Sequence, residues 1–195
     1  SRGALIFLRK FFNKSCFYFI MNEKKAIELL KKYSSSDKAF KAVVSHVRAV
    51  QKLALEFAED TDADKEFIRI ASLLHDIGRF NHPPGTKKSL HHGISGSAIL
   101  KKEKLNAYAL IAERHIGAGI SKTDIKKQKI NLPIKDYIPK TKEEKIITCA
   151  DNLIFKDKRG DMKMVYNRFL KELGKEYAER VMQLYKEVLC FKKKV

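Results

Sequence analysis

Apolar side chains recur at intervals of three or four residues along almost the whole chain from Met21 onward. This spacing places them on one face of a helix, and no segment alternates with the period of two that marks a strand. The pattern therefore predicts an all-α protein. Helices are expected over residues 24–33, 36–60, 61–78, 89–103, 106–115, 141–158 and 161–190, the last of them interrupted near Gly174. Thr141 and Glu144 have the spacing of a capping box, which marks the start of one of these helices.

Two stretches that contain proline interrupt the pattern and predict loops, at residues 81–88 and 131–140. Before the second loop, Ser121 and Asp124 also have the spacing of a capping box, here opening a short basic helix. The Lys-rich stretch 117–140 is a candidate lid over an anionic substrate. The alternative is an ordinary solvated loop.

Residues 1–20 differ from the rest of the chain, because their apolar runs are interrupted by Arg and Lys and they contain no acidic residue. The uncharged runs are too short for a membrane span, which needs about 20 apolar residues, and no signal-peptide cleavage site follows them. We expect Met21 to be the natural start, residues 1–20 to be a non-native or disordered leader, and residues 21–195 to form one domain with a C-terminal helical extension. The alternative is a basic amphipathic segment on a membrane surface.

The composition is that of one folded domain. The chain has 195 residues, 44% of them hydrophobic and 33% charged, which excludes collagen-like and wholly disordered classes. Its length is typical of a single domain. The three cysteines, Cys16, Cys149 and Cys190, include no closely spaced pair. They form neither a disulfide framework nor a Cys-x-x-Cys zinc site, which favours a reducing, cytoplasmic location.

The chain is strongly basic, with 41 Lys and Arg against 23 Asp and Glu and a formal net charge of +18. Such a charge is typical of proteins that bind nucleic acids or anionic membranes. Here, however, 32 of the basic residues are Lys and 9 are Arg, whereas specific phosphate recognition relies on the planar guanidinium of Arg. A lysine-coated solvated surface is the favoured interpretation, and a nucleic-acid partner is the less favoured one.

Candidate chemistry lies in polar side chains that occupy apolar helix faces. Four residues are placed in this way: His46, His75, His115 and Asp151. One such histidine alone is usually a satisfied core residue, and one such aspartate usually pairs with Arg or Lys. Four such residues on separate helices favour a metal site, because a helical bundle turns these faces towards one interior, where side chains from facing helices can bind an ion together.

The pair His75–Asp76 adds a carboxylate beside one of these imidazoles. Neighbouring residues on a helix point about 100° apart, but near a helix end both side chains can reach an ion that lies between packed helices. Imidazole nitrogen and carboxylate oxygen together suit Mn, Fe, Co, Ni or Zn better than Ca or Mg alone. The lack of cysteine ligands argues against a structural zinc site and leaves coordination positions for water.

The order His46, His75–Asp76, Asp151 is also that of a known family. With LLHDIGR around the central pair and CADNL around the last aspartate, the chain resembles the HD-domain metal-dependent phosphohydrolases in their HDIG form, most of all a small archaeal-type subgroup. The stretches HHGISGSAIL, ERHIGAGI and LPIKDYIPKTKEEKI add to the likeness, which covers about residues 23–158. The resemblance implies an all-α HD-domain helical bundle with these four residues around one metal ion in its core.

The resemblance further implies a second metal ion. Family members with two ions add two histidines between the HD pair and the final aspartate, and His92 and His115 match them, with Asp76 bridging both ions. His82 and His91 are competing candidates in a loop that departs from the family pattern, and they rank below His92.

For function, the resemblance implies hydrolysis of a phosphomonoester or small phosphodiester, nucleotide-like in character, by hydroxide formed at one or two divalent ions. Asp76 would position that hydroxide, and Arg79 would hold the phosphate; a charge facing the helix dipole is an equal alternative for Arg79. The Tyr-Pro of the GYP signature is missing after Gly117, so activity on cyclic dinucleotides is not expected.

Three other interpretations fit the same residues. The six-ligand pattern is also similar to that of HD-domain di-iron oxygenases, which cleave C–C or C–P bonds. A nucleic-acid-binding helical module without turnover accounts for the charge but leaves the His and Asp set unexplained. A metal-bound regulatory or structural domain without turnover is the third.

Overall fold

The computed structural model describes residues 21–86 and 88–192. The leader predicted at residues 1–20 lies outside the described residues. Between the loops, the regular structure of these residues is helical apart from one hairpin with two strands of two residues each and one isolated bridge, which confirms the all-α prediction. The α-helices are α1 (Glu23–Tyr33), α2 (Asp37–Ala58), α3 (Lys65–Leu74), α4 (His92–Lys102), α5 (Asn106–Arg114), α6 (Lys122–Lys127), α7 (Lys142–Leu153), α8 (Met162–Leu173) and α9 (Lys175–Leu189). Short 3-10 turns lie between α3 and α4, at Ile77–Phe80 and Ser89–His91.

One of the two predicted capping boxes is complete. Ser121 Oγ accepts a hydrogen bond from the Asp124 N–H, and the Asp124 carboxylate accepts one from the Ser121 N–H, at 3.0 and 2.8 Å. At the start of α7 only half of the box is present. Thr141 accepts from the Glu144 N–H, whereas the Glu144 carboxylate accepts from the Lys140 N–H instead.

Two helices end earlier than the sequence pattern predicts. The helix expected to reach Gly78 stops at Leu74, and the one expected to reach about Lys158 stops at Leu153. After Leu153 the chain forms an antiparallel hairpin of β1 (Ile154–Phe155) and β2 (Lys158–Arg159). Apolar residues continue through both boundaries, and periodicity alone cannot distinguish a further helical turn from a short extended segment.

Helices α2 and α3 contribute to both of the large apolar cores. One core joins them to α7, α8 and α9 and includes Val50, Ile147 and Tyr177; the other joins them to α1, α4 and α5 and includes Val47 and Leu100. Each of these side chains is at most 2% exposed. Because α2 and α3 are anchored from two sides, the residues at the C-terminal end of α3 are held firmly in the interior.

The predicted lid has a small core of its own. Ile120, Ile125, Leu132 and Tyr137 form a separate buried cluster within residues 117–140. Ile120 and Tyr137 also exchange backbone hydrogen bonds of 3.1 and 2.8 Å. The stretch is therefore a packed segment with its own apolar cluster rather than a structureless loop.

No helix in the described part of the chain has the length and apolar character needed to cross a bilayer.

Candidate metal centre

The six predicted ligands come from five helices and converge in one place. His46 lies within α2 and Asp151 in the last turn of α7. The other four lie at helix boundaries: His75 and Asp76 directly after α3, His92 at the first residue of α4, and His115 directly after α5. Their ligand atoms fall into three overlapping groups, in each of which all atoms lie within 4.8 Å of one another.

Asp76 lies at the centre of this cluster. Its Oδ1 is 3.3 Å from His92 Nε2 and 3.4 Å from His115 Nε2, whereas its Oδ2 is 3.6 Å from His46 Nε2 and 4.0 Å from His75 Nε2. The two carboxylate oxygens thus face two different pairs of histidines. Such a carboxylate can serve two adjacent cation positions at once.

Asp151 closes one side of the cluster. Its Oδ1 lies 2.9 Å from His46 Nε2 and 3.5 Å from His75 Nε2. The side chains of Asp151 and His46 are each 18% exposed, whereas His75 is completely buried. The cluster therefore has one side that is partly exposed to solvent, at His46 and Asp151, and one side that is enclosed.

All four histidines are oriented in the same way, since each Nδ1 contacts a backbone carbonyl and each Nε2 points into the cluster. The carbonyls and their distances to Nδ1 are Lys156 for His46 (2.6 Å), Ser72 for His75 (2.7 Å), Ser89 for His92 (2.6 Å) and Ala112 for His115 (2.9 Å). A carbonyl accepts only, so Nδ1 carries the proton, and in a neutral ring Nε2 presents its lone pair. This arrangement is typical of metal-binding histidines.

Two features of the inward-facing nitrogen atoms suit a cation. His92 Nε2 and His115 Nε2 are 2.9 Å apart, although both rings already use Nδ1 as the donor. His75 Nε2 is buried with no hydrogen-bond partner among the described residues. Two nitrogen ligands at right angles on an ion with bonds of about 2.1 Å lie about 3 Å apart. The donor set therefore fits one or two divalent transition-metal ions.

The ionisation states also suit a cation. Burial opposes the ionised forms of Asp76 and Asp151, yet the pKa of each carboxyl is held well below its usual range. The cause is the Arg79 guanidinium together with neighbouring histidines at Asp76, and His46 and His75 at Asp151. Burial lowers the pKa of His92 to about 3. Burial also works against charge on His46, yet the hydrogen bond to Asp151, the charges of Asp151 and Asp76 and the contact with the Lys156 carbonyl together outweigh it and raise the His46 pKa to about 9. Since metal ligands must be deprotonated, ion binding would displace that proton.

Glycine lets the first residue of α4 approach the HD pair. A Cβ on Gly78 would lie 1.9 Å from the His92 carbonyl oxygen and 2.6 Å from the Gly96 nitrogen. Only a residue without a side chain allows the 3-10 turn and α4 to touch through their backbones. Gly78 thus allows close packing between two segments that carry candidate ligands. Its position in the sequence predicts the end of helix α3, but that helix already stops at Leu74.

Arg79 has a role that the sequence did not reveal. Its Nε lies 3.1 and 3.3 Å from the two oxygens of Asp76, and a terminal nitrogen donates to Ser89 Oγ at 2.9 Å. The guanidinium therefore balances the buried carboxylate at the centre of the cluster. It is also 21% exposed at its side chain and lines the cleft above the cluster.

A cleft of about 990 Å³ opens onto the cluster. Several of its lining residues were not singled out from the sequence: Asn152, Phe155, Lys156, Arg168 and Phe169. The sequence could have indicated Asn152, because it directly follows Asp151. It could not have indicated the others, because the hairpin and α8 bring them to the cleft only through the tertiary fold.

Some sequence candidates lie elsewhere. His82 and His91 have ring centroids 5.6 Å apart, and neither belongs to a ligand group among the described residues. Of the predicted lid at 117–140, Gly117 alone is among the described residues that line the cleft. The remainder packs around its own apolar cluster, so the structure gives no support to a lid at this position.

The sequence model of the family described as "HD domain" matches residues 43–155. An uncharacterized protein of Methanocaldococcus jannaschii is 41% identical over 179 residues, covering 86% of this chain and 97% of that protein. Residues 43–155 contain all six candidate ligands.

Two further relatives are proteins named tRNA (cytidine(56)-2'-O)-methyltransferase. The one from Picrophilus torridus is 35% identical and the one from Thermoplasma volcanium 36%, over 87% and 86% of this chain. The match spans 47% and 46% of those two proteins, so the chain corresponds to under half of their length.

The fold is also similar to that of a solved structure, the HD domain of the Listeria monocytogenes phosphodiesterase PgpH, with a TM-score of 0.50 and 18% identity over 85% of this chain and 97% of that one. The same domain in complex with cyclic-di-AMP matches over 88% of this chain and 99% of that one, again with a TM-score of 0.50. At this identity the likeness concerns the fold alone.

Proposed function

The chain belongs to the HD domain family, and from this premise we propose that it is a metal-dependent phosphohydrolase acting on a phosphomonoester or small phosphodiester of nucleotide-like character. We also propose that residues 21–195 form one domain in which α8 and α9 extend the family region. His46, His75, Asp76, His92, His115 and Asp151 are the proposed metal ligands.

One observation carries the proposal: each oxygen of the Asp76 carboxylate faces its own pair of inward-pointing histidine nitrogens. Oδ1 lies within 3.4 Å of the nitrogens of His92 and His115, and Oδ2 within 4.0 Å of those of His46 and His75. This geometry supports two cation positions: Asp76 with His92 and His115 would hold one, and Asp76 with His46, His75 and Asp151 would hold the other. Two-metal sites of this kind are common in phosphoester hydrolases.

When bound, divalent ions at such a site lower the pKa of water to about 7 and so supply a nucleophile at neutral pH. The protein contributes orientation and charge. The Nδ1 contacts to backbone carbonyls hold the imidazoles in place, which reduces reorganisation during the reaction. Arg79, at the cleft and beside Asp76, is positioned to bind a phosphate oxygen when the Asp76 charge is taken up by cations.

A specific observation favours RNA as a second class of substrate. Two relatives with 35% and 36% identity contain the matching region within proteins named as tRNA methyltransferases. The net charge of +18 also suits a polyanion. We therefore propose terminal phosphates of RNA as the second candidate beside free nucleotides.

Elemental analysis of the purified protein together with a substrate panel tests the proposal. We expect one or two equivalents of Mn, Fe, Co, Ni or Zn per chain, and metal-dependent release of phosphate or nucleotide from at least one of p-nitrophenyl phosphate, nucleoside monophosphates, short dinucleotides and 3'-phosphorylated RNA. The substitution Asp76→Asn should lower kcat/KM by about a hundredfold or more.

The matched control is Asp161→Asn, which makes the same carboxylate-to-amide change at the exposed cap of α8. Because Asn caps helices as well as Asp does, this variant should keep full activity. Full metal-dependent turnover in Asp76→Asn contradicts the assignment of the site. Bound iron with O₂ consumption, and no hydrolysis of any phosphoester, indicates the di-iron oxygenase instead.

A further inference from the structure

Arg168 of α8 reaches the cleft from outside the region that the family model matches. Its guanidinium carbon lies 4.4 Å from the centroid of the Phe169 ring and 5.1 Å from that of Phe155. Both rings also line the cleft. Packing of this kind, with cation–π attraction, holds the planar group in one orientation.

The guanidinium contacts an amide whose orientation is fixed. Asn152 Nδ2 donates to the Gly117 carbonyl at 2.8 Å, so Asn152 Oδ1 must face the other way. That oxygen lies 3.4 Å from an Arg168 terminal nitrogen. Asn152 directly follows the proposed ligand Asp151 in α7, so the amide that Arg168 contacts belongs to the helical turn that carries this ligand.

The charge of Arg168 is left largely uncompensated. In the described part of the chain no carboxylate pairs with Arg168, although Glu172 lies one helical turn further on and lines the same cleft. Its Nε is buried and has no hydrogen-bond partner among the described residues. By contrast, Arg79 in the same cleft is paired with Asp76. A partly buried, unpaired guanidinium is costly unless an anion completes its hydrogen bonds.

We propose that Arg168, positioned by Asn152 and by the rings of Phe155 and Phe169, binds a second phosphate group of the substrate, separate from the phosphoester that reacts at the metal centre. This inference rests on the proposed function and specifies its substrate class: an organic phosphate with two phosphate groups, such as a dinucleotide. The cleft volume of about 990 Å³ accommodates a ligand of that size.

The test compares two probes of equal size that differ in one charge. The first is the 5'-phosphorylated diadenylate pApA, in which the terminal 5'-phosphate is the group assigned to the metal centre and the internal phosphodiester is the group assigned to Arg168. The second is the same compound with a neutral methylphosphonate at that internal linkage. Binding to the metal-loaded full chain is measured by calorimetric titration, and chromatography of the probe afterwards verifies that it is intact. The wild type should bind the charged probe about tenfold more tightly or better, and Arg168→Met should abolish this preference while binding the neutral probe as the wild type does.

Two further variants separate phosphate binding from packing. Arg168→Lys keeps the charge but loses the planar fork, so an intermediate preference is expected. Arg159→Met removes an exposed arginine of β2 that pairs with Glu56, and it should keep the full preference. Metal content and thermal unfolding of each variant verify that the site and fold are retained.

The outcomes distinguish this inference from the proposed function. If the wild type does not prefer the charged probe, if Arg168→Met retains the preference, or if Arg159→Met loses it equally, the second phosphate site is wrong. If the wild type nevertheless hydrolyses p-nitrophenyl phosphate, the proposed phosphohydrolase function is retained and only the second phosphate site is rejected. A preference that depends on Arg168 in a protein that hydrolyses no phosphoester supports the binding site and contradicts the proposed function.

Discussion

At the scale of single residues, contacts with backbone carbonyls set the orientation of the imidazole rings in the cluster. The Nδ1 atoms of His75 and His115 bind the carbonyls of Ser72 and Ala112, which lie in the last turns of α3 and α5. These carbonyls have no partner within their own helix. Each histidine therefore satisfies a helix end and directs its other nitrogen inward in a single conformation.

Gly78 provides the sharpest residue-level prediction, because its missing side chain lets α4 touch the HD turn. In Gly78→Ala the new Cβ would lie 1.9 Å from a backbone oxygen, so the segments must separate. We expect a loss of about 3 kcal/mol in the free energy of unfolding, measured by urea denaturation, together with weaker metal binding. Gly85→Ala is the control, since nothing lies within 4 Å of its Cβ and only its φ of +80° is unfavourable; it should cost about 1 kcal/mol. Equal losses in the two variants contradict this explanation.

At the scale of elements, the C-terminal helices α8 and α9 lie beyond the region that the family model matches, yet they share its apolar core. α9 packs on α7 and α8 through Tyr177 and Val181, and the Tyr177 hydroxyl donates to the carbonyl of Gly119 at 3.1 Å. Arg180 of α9 also binds both carboxylate oxygens of Asp124 at 2.9 Å. The 117–140 stretch is thereby attached to α9 and not suspended over the cleft.

The Asp124–Arg180 pair yields a pH-dependent prediction. Burial opposes ionised Asp124, but the Arg180 and Ser121 hydrogen bonds lower its pKa below 3.8. A carboxyl whose pKa is lowered by folding contributes stability above its unfolded pKa and loses it as the pH falls through the folded pKa. Arg180→Gln should therefore destabilise the protein by about 2 kcal/mol at pH 7, and the difference from wild type should shrink as the pH falls below about 4.

Urea unfolding at several pH values, followed by circular dichroism, measures this effect. Lys175→Gln serves as the control, since its ion pair with Glu179 on the surface of α9 is exposed and 3.8 Å long. Such a pair contributes little, so that variant should match the wild type. A difference for Arg180→Gln that stays constant from pH 7 to pH 3 argues against the ion pair as its cause.

At the scale of the whole molecule, the cluster connects parts of the chain that lie far apart in sequence. The candidate ligands His46 of α2 and Asp151 of α7 are separated by 105 residues in sequence, yet their side chains lie 2.9 Å apart. Unfolding separates all five contributing segments, so it also destroys the site. Whatever binds there must stabilise the entire fold and not one helix.

Removal of metal should accordingly lower the melting temperature. A ligand present at 100 times its Kd stabilises the native state by about 2.7 kcal/mol, which for a domain of this size corresponds to about 5–10 °C. We expect EDTA to lower the melting temperature of the wild type by that amount in a scanning calorimeter, and a divalent ion added in excess over the EDTA to restore it. In Asp76→Asn the EDTA effect should largely disappear, and an equal effect in both proteins would falsify the proposed site.

The helical class, the cap at Ser121 and the set of candidate ligand residues were accessible from the sequence, because each depends on local spacing, on residue types in a short motif or on the resemblance to a family. The ends of α3 and α7 were not, since the apolar pattern continues past Leu74 and Leu153 while tertiary packing decides where the helices stop. For the same reason the sequence indicated a lid at 117–140, where the structure shows a packed segment.

The amino-acid sequence by itself thus determined which side chains could bind a metal ion, since imidazole and carboxylate chemistry belongs to the residue. Only the tertiary structure decided how they are arranged: that the two oxygens of Asp76 face separate histidine pairs, that Arg79 balances Asp76, and that Arg168 enters the same cleft from α8. The physical reason is that distances between ligand atoms depend on how helices far apart in the chain pack against one another, and no local pattern encodes that packing.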